Sequence, residues 1–447
     1  MTRFPLPLGF RYHLVEHVLR LLRSGESLAV VGVAGVGKSN VVHYLQQAEV
    51  WANGFIEPTE KYLVVWVDSN DLTAIDEWSF FELLVYRLAV HCQKLGLPPE
   101  ISRQLDGWHQ KLLGQPHAVY AQRCFEQAIR WLGQTHHFRI VLLLDEFDIL
   151  LQSLRPRLFV NLRALRDKNK YSLSYVLFLR RDLRALASDP VQAAFVELFQ
   201  PNTTYLKPYD WADTELMIAR LCRRQQVEWP DKQTATVYNW SGGHGQLIKI
   251  LVRKILALPE PKKLTLETLI TDLEVQTVCQ KIWASLSPTE QDFLQSVGLQ
   301  PGRFSDSVVG RQLQQKGILN PAEDERRFFS PLFEAYLEQK FGAGLARSFA
   351  FDPDSQTCWI EGQAISLPAL QAKVLELLVQ QPGRIYKRAE ILAHLYPDED
   401  HSQLHRLSDD PRLYDVVKNL RKKIEPDPQQ PKFIITVRGV GFKLEID

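Results

Sequence analysis

The first 205 positions of the chain alternate between two patterns of hydrophobic residues. Short runs rich in Val, Ile and Leu cover residues 27–33, 62–68, 139–146 and 174–180, and such runs are typical of buried parallel strands. The longer stretches between them repeat their apolar residues every three or four positions, as amphipathic helices do. This alternation predicts a doubly wound α/β domain over residues 1–205.

After residue 205 the strand pattern stops and helical patterns continue. Amphipathic stretches at 213–227 and 245–258 predict a helical segment over residues 206–275. Residues 276–345 predict a compact, mostly helical unit that resembles a small winged helix. The Gly-Ala-Gly sequence at 342–344 predicts a hinge before a last domain, residues 346–447.

The last domain has its own succession of elements. Two helices are predicted within residues 367–398 and a third within 410–428, followed by two short strands in 433–447 around a Gly-Val-Gly turn. Three helices followed by a β-hairpin form a winged helix. In such a domain the third helix enters the major groove of DNA, and the hairpin contacts the minor groove or the backbone.

Composition and cysteine usage limit the classes of protein to which the chain can belong. The chain has 447 residues, of which 45% are hydrophobic and 23% charged, as in ordinary globular domains. Its five cysteines are scattered and odd in number, which predicts reduced thiols in a cytoplasmic protein. No apolar run is long enough for a signal peptide or a membrane span, so we expect no membrane partner.

Positive charge is concentrated in the last domain. The whole chain has a formal net charge of +1, but residues 412–443 carry eight basic against three acidic side chains. A local excess of this kind predicts a surface that binds the phosphates of duplex DNA. The predicted DNA contacts are Arg412, Lys418, Arg421 and Lys422 on the third helix, with Lys432 and Arg438 at the hairpin.

A phosphate-binding loop follows the first predicted strand. Residues 32–39 read GVAGVGKS, which has the G-x-x-x-x-G-K-S spacing between a strand and a helix. Glycines let consecutive backbone N–H groups face a phosphate, and the following helix directs its positive end at the same anion. Lys38 is predicted to bind the β- and γ-phosphates and Ser39 to bind Mg²⁺. The predicted nucleotide contacts here are Gly32, Gly35, Val36, Gly37, Lys38, Ser39 and Asn40.

The third predicted strand carries an acidic pair to its C-terminal end, in VLLLDEFD at 141–148. Ligands of open α/β sheets bind at that edge. Asp145 is predicted to hold Mg²⁺, and Glu146 is predicted to deprotonate the attacking water in phosphoryl transfer. Asp148 has two readings, an acid that supports this pair or a helix cap.

These two motifs, with SYVLFLRRDL at 174–183 and SGGHGQLIKIL at 241–251, resemble the STAND branch of the AAA+-related ATPases over residues 8–345. The resemblance implies ATP and Mg²⁺ as cofactors and a helical lid at 206–275. It further implies a sensor of the γ-phosphate at Arg180 or Arg181 and nucleotide contacts by Arg11 and His244. The family commonly has a proline after this histidine, where the chain has Gly245, so a structural role for His244 is the alternative.

Residues 155–184 contain nine basic and two acidic side chains. Three readings stay open for this cluster: a solvated helix face, a strip that faces DNA, or an arginine finger that reaches a neighbouring protomer's ATP. Arg163 is the finger candidate, together with Arg180 and Arg181. The last reading implies a homo-oligomer that forms on ATP binding.

Residues 346–447 closely resemble the effector domain of OmpR/PhoB-type response regulators, through QQPGRIYKRAEIL, VVKNLRKKIEPDP and IITVRGVGFKLE. Two features depart from that family. The loop at 396–412 is long and acidic, whereas the family's loop at this place contacts polymerase. We therefore do not predict polymerase contact, and the loop is a candidate surface for a protein partner. An ATPase also takes the place of the phosphorylatable receiver domain.

The sequence therefore predicts an α/β P-loop NTPase core with a helical lid, a small winged-helix-like domain and a C-terminal OmpR/PhoB-type winged helix. The predicted function is that of an ATP-binding, slowly hydrolysing regulator whose nucleotide state controls its DNA output, most simply transcription. Two alternatives stay open: a DNA-loading or transposition-type ATPase that assembles on DNA, and a defence-type sensor ATPase whose tail binds a protein.

Overall fold

The computed structural model describes residues 6–52, 60–186, 189–230, 233–257, 264–297, 307–321, 328–341, 349–353, 356–360, 363–397, 411–425, 427–437 and 439–445. The chain forms two compact units. The first comprises Met1–Ser287 with Phe329–Leu332, and the second comprises Pro288–Phe328 with Phe333–Asp447. The finer division into four domains stays a prediction, and residues 276–287 lie with the first unit. The predicted hinge at 342–344 lies outside the described residues.

The first unit is built on a parallel five-stranded sheet in the order β2-β3-β4-β1-β5. Its strands are β1 (Leu28–Val31), β2 (Lys61–Asp68), β3 (Phe138–Asp145), β4 (Leu173–Leu179) and β5 (Thr203–Tyr205). The helices of its core are α1 (Tyr12–Arg23), α2 (Lys38–Leu45), α3 (Ala48–Ala52), α4 (Glu77–Lys94), α5 (Pro99–Gly114), α6 (Ala118–Arg130), α7 (Asp148–Ser153), α8 (Pro156–Lys168), α9 (Leu183–Leu186) and α10 (Pro190–Glu197). The predicted α/β class is confirmed.

Burial explains why the four longer strands were predictable. Every residue of β1 and β4 is buried, because a parallel sheet is covered by helices on both faces and its strands are apolar throughout. The fifth strand, β5, escaped prediction. It has only three residues, Thr-Thr-Tyr, all half-buried, and it is defined by its parallel pairing with β1.

Helices complete the first unit. They are α11 (Trp211–Gln225), α12 (Thr234–Ser241), α13 (Gly245–Ala257), α14 (Leu266–Ile270) and α15 (Leu273–Ala284). The apolar face of α13 is buried, and α13 packs against α11, α12 and α15. The predicted helical segment after residue 205 is thus present, and α15 extends it.

The second unit begins with α16 (Pro288–Val297), α17 (Val308–Gln315) and α18 (Pro331–Phe341), whose first two residues belong to the first unit. Within this unit the ammonium of Lys316 lies 2.6 Å from a carboxylate oxygen of Glu290, and both side chains are fully buried. A buried ion pair costs desolvation and fixes its neighbours in one arrangement. Whether this segment is a winged helix stays a prediction.

The rest of the second unit is the predicted winged helix. It comprises β6 (Phe349–Asp352), β7 (Thr357–Ile360), β8 (Gln363–Ser366), α19 (Ala369–Gln380), β9 (Tyr386–Lys387), α20 (Arg388–Leu395), α21 (Pro411–Ile424), β10 (Ile434–Val437) and β11 (Gly441–Leu444). Strands β6, β7 and β8 form one antiparallel sheet, and β10, β11 and β9 form another. A Cβ at Gly441 would overlap the carbonyl of Tyr386, so the β9–β11 pairing requires glycine there.

The apolar faces of the winged helix converge on one core. The third helix, α21, buries Leu413, Val417, Leu420 and Ile424. They pack with residues of α19, α20 and the hairpin strands. This packing leaves the opposite, basic face of α21 towards solvent.

Among the described residues, no helix is both long and apolar enough to cross a membrane.

Candidate functional site

The phosphate loop connects β1 to α2, as its motif requires. Gly35 and Gly37 have φ angles of +75° and +116°, a region that side-chain-bearing residues rarely adopt. A Cβ at Gly37 would also overlap the hydroxyl of Tyr209. The loop conformation therefore depends on glycine at both positions.

Lys38 is the first residue of α2, and its ammonium donates a hydrogen bond of 2.8 Å to the carbonyl of Gly32. The side chain is buried. Burial lowers the pKa of Lys38, and the carboxylates of Glu146 and Asp145 oppose this shift. A buried cation with one carbonyl partner is poorly solvated, and this favours an anionic ligand.

Asp145 ends β3, and its carboxylate is buried. One of its oxygens accepts a hydrogen bond of 3.0 Å from the backbone N–H of Glu146. Burial, reinforced by the negative charge of Glu146, raises the pKa of Asp145 to about 6. The site thus raises the free energy of the ionised carboxylate, which a bound cation would lower again.

Glu146 follows with a φ of +52°, an unusual backbone conformation for a residue other than glycine. Its carboxylate lies 2.7 Å from the guanidinium of Arg180, which follows β4. The predicted base and the predicted sensor are therefore ion-paired with each other.

Asp148, the first residue of α7, holds the segment that follows β4. Its carboxylate accepts hydrogen bonds from the backbone N–H groups of Arg180 and Arg181, at 2.9–3.1 Å. Asp148 is buried, and burial raises its pKa while these two bonds oppose the rise. The carboxylate thus fixes the backbone that follows β4. It thereby fixes the position from which the Arg180 side chain extends.

The start of α13 is bonded to the phosphate loop. The Nε2 atom of His244 lies 2.9 Å from the carbonyl of Ala34, and the N–H of Gln246 donates to the carbonyl of Gly35 at 3.0 Å. His244 is fully buried, and burial lowers its pKa to about 4. The neutral ring therefore donates a hydrogen bond to the Ala34 carbonyl of the loop. This contact agrees with the alternative in which His244 has a structural role.

Arg11 lies in a separate buried cluster. Its guanidinium is 4.2 Å from the ring centre of Tyr209, donates to the carbonyl of Pro208 and pairs with Asp213 at 3.5 Å. Tyr209 in turn accepts a hydrogen bond of 2.8 Å from Asn40. These contacts tie the start of the chain to α11 and to the phosphate loop.

The phosphate loop, Glu146, Arg180, α13 and α15 surround a cavity of about 500 Å³, within the usual range of about 300–1,000 Å³ for small-molecule sites. Seven predicted residues line it, namely Gly35, Gly37, Lys38, Ser39, Asn40, Glu146 and Arg180. Seven others are not among its lining residues, namely Gly32, Val36, Asp145, Arg11, His244, Arg181 and Arg163.

Arg163 is engaged within its own unit. Its guanidinium pairs with Glu197 at 3.0 Å and with Asp167, and it donates to the carbonyl of Ala194. Nearby, Arg166 is buried and donates to the carbonyl of Gly25. The basic cluster at 155–184 therefore includes arginines whose ion pairs and hydrogen bonds stabilise the fold.

The predicted magnesium ligands suit that ion. Mg²⁺ prefers oxygen ligands and commonly takes one or two from the protein, the rest coming from phosphates and water. Ser39 and Asp145 offer a hydroxyl and a carboxylate with a raised pKa. Within the described residues, no cluster of three or more His, Cys, Asp or Glu could hold a metal ion.

The basic face of α21 divides into two groups. Lys418 and Lys422 are exposed and line a cavity of about 610 Å³ beside the hairpin. The guanidinium of Arg421 instead donates to the carbonyl of Ile434 at 3.0 Å and to the hydroxyl of Thr436 at 2.7 Å. Arg421 thus joins α21 to the hairpin.

Three further predicted DNA contacts have different settings. The guanidinium of Arg412 lies 4.7 Å from the ring centre of Tyr396. The backbone N–H of Lys432 donates to Glu425, whose buried carboxylate also accepts from the next two N–H groups and so fixes the start of the hairpin. Arg438 lies outside the described residues, as do residues 398–410 of the acidic loop.

Sequence reasoning missed Tyr209, Lys249, Lys281 and Ser285. Lys249 lies one helical turn after Gly245 and was within reach of a pattern argument. Ser285 bonds to Ala34 across 251 positions of sequence, so no local pattern signals it.

Residues 362–444 match the family described as "Transcriptional regulatory protein, C terminal". This domain is of the OmpR/PhoB type. It is similar to the sensory transduction protein RegX3 of Mycobacterium leprae, with 35% identity over 95 residues, covering 21% of this chain and 44% of the relative. The transcriptional regulatory protein BaeR of Escherichia coli is 33% identical over 92 residues, covering 21% of this chain and 35% of the relative. The OmpR/PhoB-type match thus spans less than half the length of these relatives.

Solved structures also show some likeness to the chain. A Walker-type ATPase of Pyrococcus abyssi is 15% identical, with a TM-score of 0.43, covering 81% of this chain and 96% of that one. The ORC2 protein of Aeropyrum pernix is 14% identical, with a TM-score of 0.40, covering 85% and 96%. At TM-scores this low, the likeness says nothing about activity.

Proposed function

We propose that the protein is an ATP-binding, slowly ATP-hydrolysing regulator that binds duplex DNA through its OmpR/PhoB-type domain. The observation that carries the nucleotide part is the single cavity that brings together the phosphate loop, Glu146 and Arg180. Phosphate recognition by loop N–H groups, a lysine and the start of a helix suits a nucleoside triphosphate.

The phosphate loop and the acidic pair each have a part in this proposal. The N–H groups of the loop and of α2 bind the phosphates, and Lys38 exchanges the Gly32 carbonyl for a phosphate oxygen. Ser39 and Asp145 would hold Mg²⁺, which would supply positive charge to the phosphates. Glu146 takes the proton of the attacking water.

The Glu146–Arg180 ion pair supports slow hydrolysis. The carboxylate of Glu146 lies 2.7 Å from the guanidinium of Arg180 and is therefore engaged by that partner rather than by a water molecule. Glu146 must leave Arg180 before it accepts a proton from water, and Arg180 is then free to bind the γ-phosphate. A rate limited by this exchange suits a switch better than a motor.

The DNA-binding part is supported by the exposed Lys418 and Lys422 on α21 and by the family match. The fusion of the two parts in one chain supports control of DNA binding by nucleotide, with transcription as the output. Assembly of several copies on ATP binding, and a protein partner at residues 396–412, are further proposals of the same kind.

The test of the nucleotide part is equilibrium binding of ATP and ADP in the presence of Mg²⁺. Lys38→Ala is expected to abolish detectable binding, because it removes the buried cation of the loop. Lys94→Ala, an exposed lysine at the end of α4, is the charge-matched control and is expected to bind as wild type does. Equal affinity of wild type and Lys38→Ala would overturn the assignment.

A further inference from the structure

Two lysines outside the phosphate loop face its cavity from neighbouring helices. Lys249 lies on α13 and Lys281 on α15, and both line the cavity together with Lys38 and Arg180. Glu146 is the one carboxylate among the described residues that line it, and it is already paired with Arg180. The side chains that line the cavity therefore carry four positive charges against one negative charge, which favours a ligand with several negative charges.

Other cations of α13 are ion-paired, whereas Lys249 and Lys281 form no ion pair within the part of the chain that the structure describes. On α13, Arg253 is paired with Glu274, and Lys254 lies 2.5 Å from Asp272. The ammonium groups of Lys249 and Lys281 have no carboxylate within ion-pair distance among the described residues. Two exposed cations held towards one cavity repel each other, so a shared anion between them would lower their energy.

Helix α15 is attached to the phosphate loop directly. The backbone N–H of Ala34 donates to the hydroxyl of Ser285 at 3.2 Å, and that hydroxyl donates to the carbonyl of Ile282 at 2.6 Å. Ser285 is buried. Because Lys281 and Ser285 are one helical turn apart, they share a face of α15. The contact that anchors Ser285 on the loop therefore also directs Lys281 towards the cavity.

We infer that α15 is part of the nucleotide site, with Lys281 binding the phosphate chain and Ser285 acting as its positioning residue. This inference rests on the proposed function and adds to it a phosphate ligand from beyond the predicted lid. Lys249 supports the same anion from α13.

Helix α15 lies in the sequence directly before the start of the second unit. Helix α15 ends at Ala284, and the second unit begins at Pro288. An anion that draws Lys281 inward acts on the helix immediately before that boundary. Nucleotide state thus biases the position of α15, which leads into the unit that holds the DNA-binding domain.

The test compares the binding of MgATP, MgADP and adenosine by the full chain. Lys281→Gln is expected to weaken MgATP binding roughly tenfold, as the loss of a charge-assisted hydrogen bond implies, and to leave adenosine binding unchanged. A larger loss of affinity for MgATP than for MgADP places Lys281 at the γ-phosphate of ATP. Equal losses of affinity place it at the phosphates that ATP and ADP share. Lys281→Arg is expected to restore most of the affinity.

Gln280→Ala, at an exposed neighbouring position of α15, is the matched control, with unchanged melting temperatures as the check on folding. Ser285→Ala is expected to weaken MgATP binding less than Lys281→Gln does. MgATP affinity unchanged in Lys281→Gln, while Lys38→Ala fails to bind, would overturn this inference and leave the proposed function standing. No MgATP binding by wild type would overturn both.

Discussion

At the residue scale, the candidate site depends on side chains that hold other groups in place. Asp148 binds the backbone N–H groups of Arg180 and Arg181 and so directs the Arg180 side chain to Glu146. His244 binds the loop carbonyl at Ala34. The lysine and the acidic pair were predictable because their motifs are local, whereas these supporting contacts join distant segments.

His244→Gln is predicted to make the first unit less sensitive to acid. The buried ring has a pKa of about 4, below its ordinary value of 6.5, so the unfolded chain binds more protons between these values. Wild type therefore loses stability as pH falls through this window, by about 2 kcal/mol between pH 7 and pH 5. Glutamine keeps an N–H donor for the Ala34 carbonyl and does not titrate.

The measurement is the free energy of unfolding of the first unit by denaturant at both pH values. Asp145 acts in the opposite sense. Because its pKa is raised to about 6, its contribution to stability is present at low pH and lost as pH rises through that value. Both proteins retain Asp145, so the difference between them isolates His244. Parallel pH dependences in wild type and variant would contradict the prediction.

At the element scale, hydrophobic pattern predicted what is long and regular. The strands β1 to β4, the helices that follow residue 205 and the apolar face of α21 were all within reach of a period argument. The three-residue β5 was not, because its half-buried polar residues carry no strand signal. The sequence also did not predict that α15 lines the cavity, because its contact with the phosphate loop, from Ala34 to Ser285, joins residues 251 positions apart.

The two groups of cations on α21 are predicted to respond differently to truncation. Lys422→Ala is expected to weaken DNA binding and lower the salt slope by about one, because an exposed lysine releases one counterion on binding a phosphate. Arg421→Ala is expected to destabilise the second unit by about 1–3 kcal/mol, because the Ile434 carbonyl and Thr436 hydroxyl lose their donor.

Calorimetric melting and salt-dependent DNA titration separate the two effects. Lys373→Ala, on α19 of the same domain, serves as the charge-matched control for both variants. A melting temperature unchanged in Arg421→Ala would show that its contacts to the hairpin contribute little.

At the scale of the whole molecule, the question is whether the two functions communicate. Glu146→Gln keeps the size of the side chain and removes the base, so it is expected to hold the ATP state. DNA affinity of this variant is predicted to differ between ATP, ADP and no nucleotide by about 1–3 kcal/mol, and DNA must shift ATP affinity by the same factor.

The experiment titrates a duplex of mixed sequence at one fixed salt concentration and follows assembly by sedimentation. Discrete complexes with nucleotide-dependent affinity support a regulator, whereas filaments or rings with ATP support the DNA-loading alternative. Identical titration curves in all three states, without any change in assembly, would mean that nucleotide binding and DNA binding are independent of each other.

The strand order also governs when the phosphate loop is formed during synthesis. Among the described strands, β1 pairs with β4 and β5, so its four apolar residues have no sheet partner until residues 176–179 of β4 have left the ribosome. At usual rates of translation that wait is on the order of ten seconds. Strands β2 and β3 can pair with each other sooner. The nucleotide-binding loop, although encoded near the start of the chain, is therefore among the last parts of its unit to mature, and chaperones have a long interval in which to bind β1.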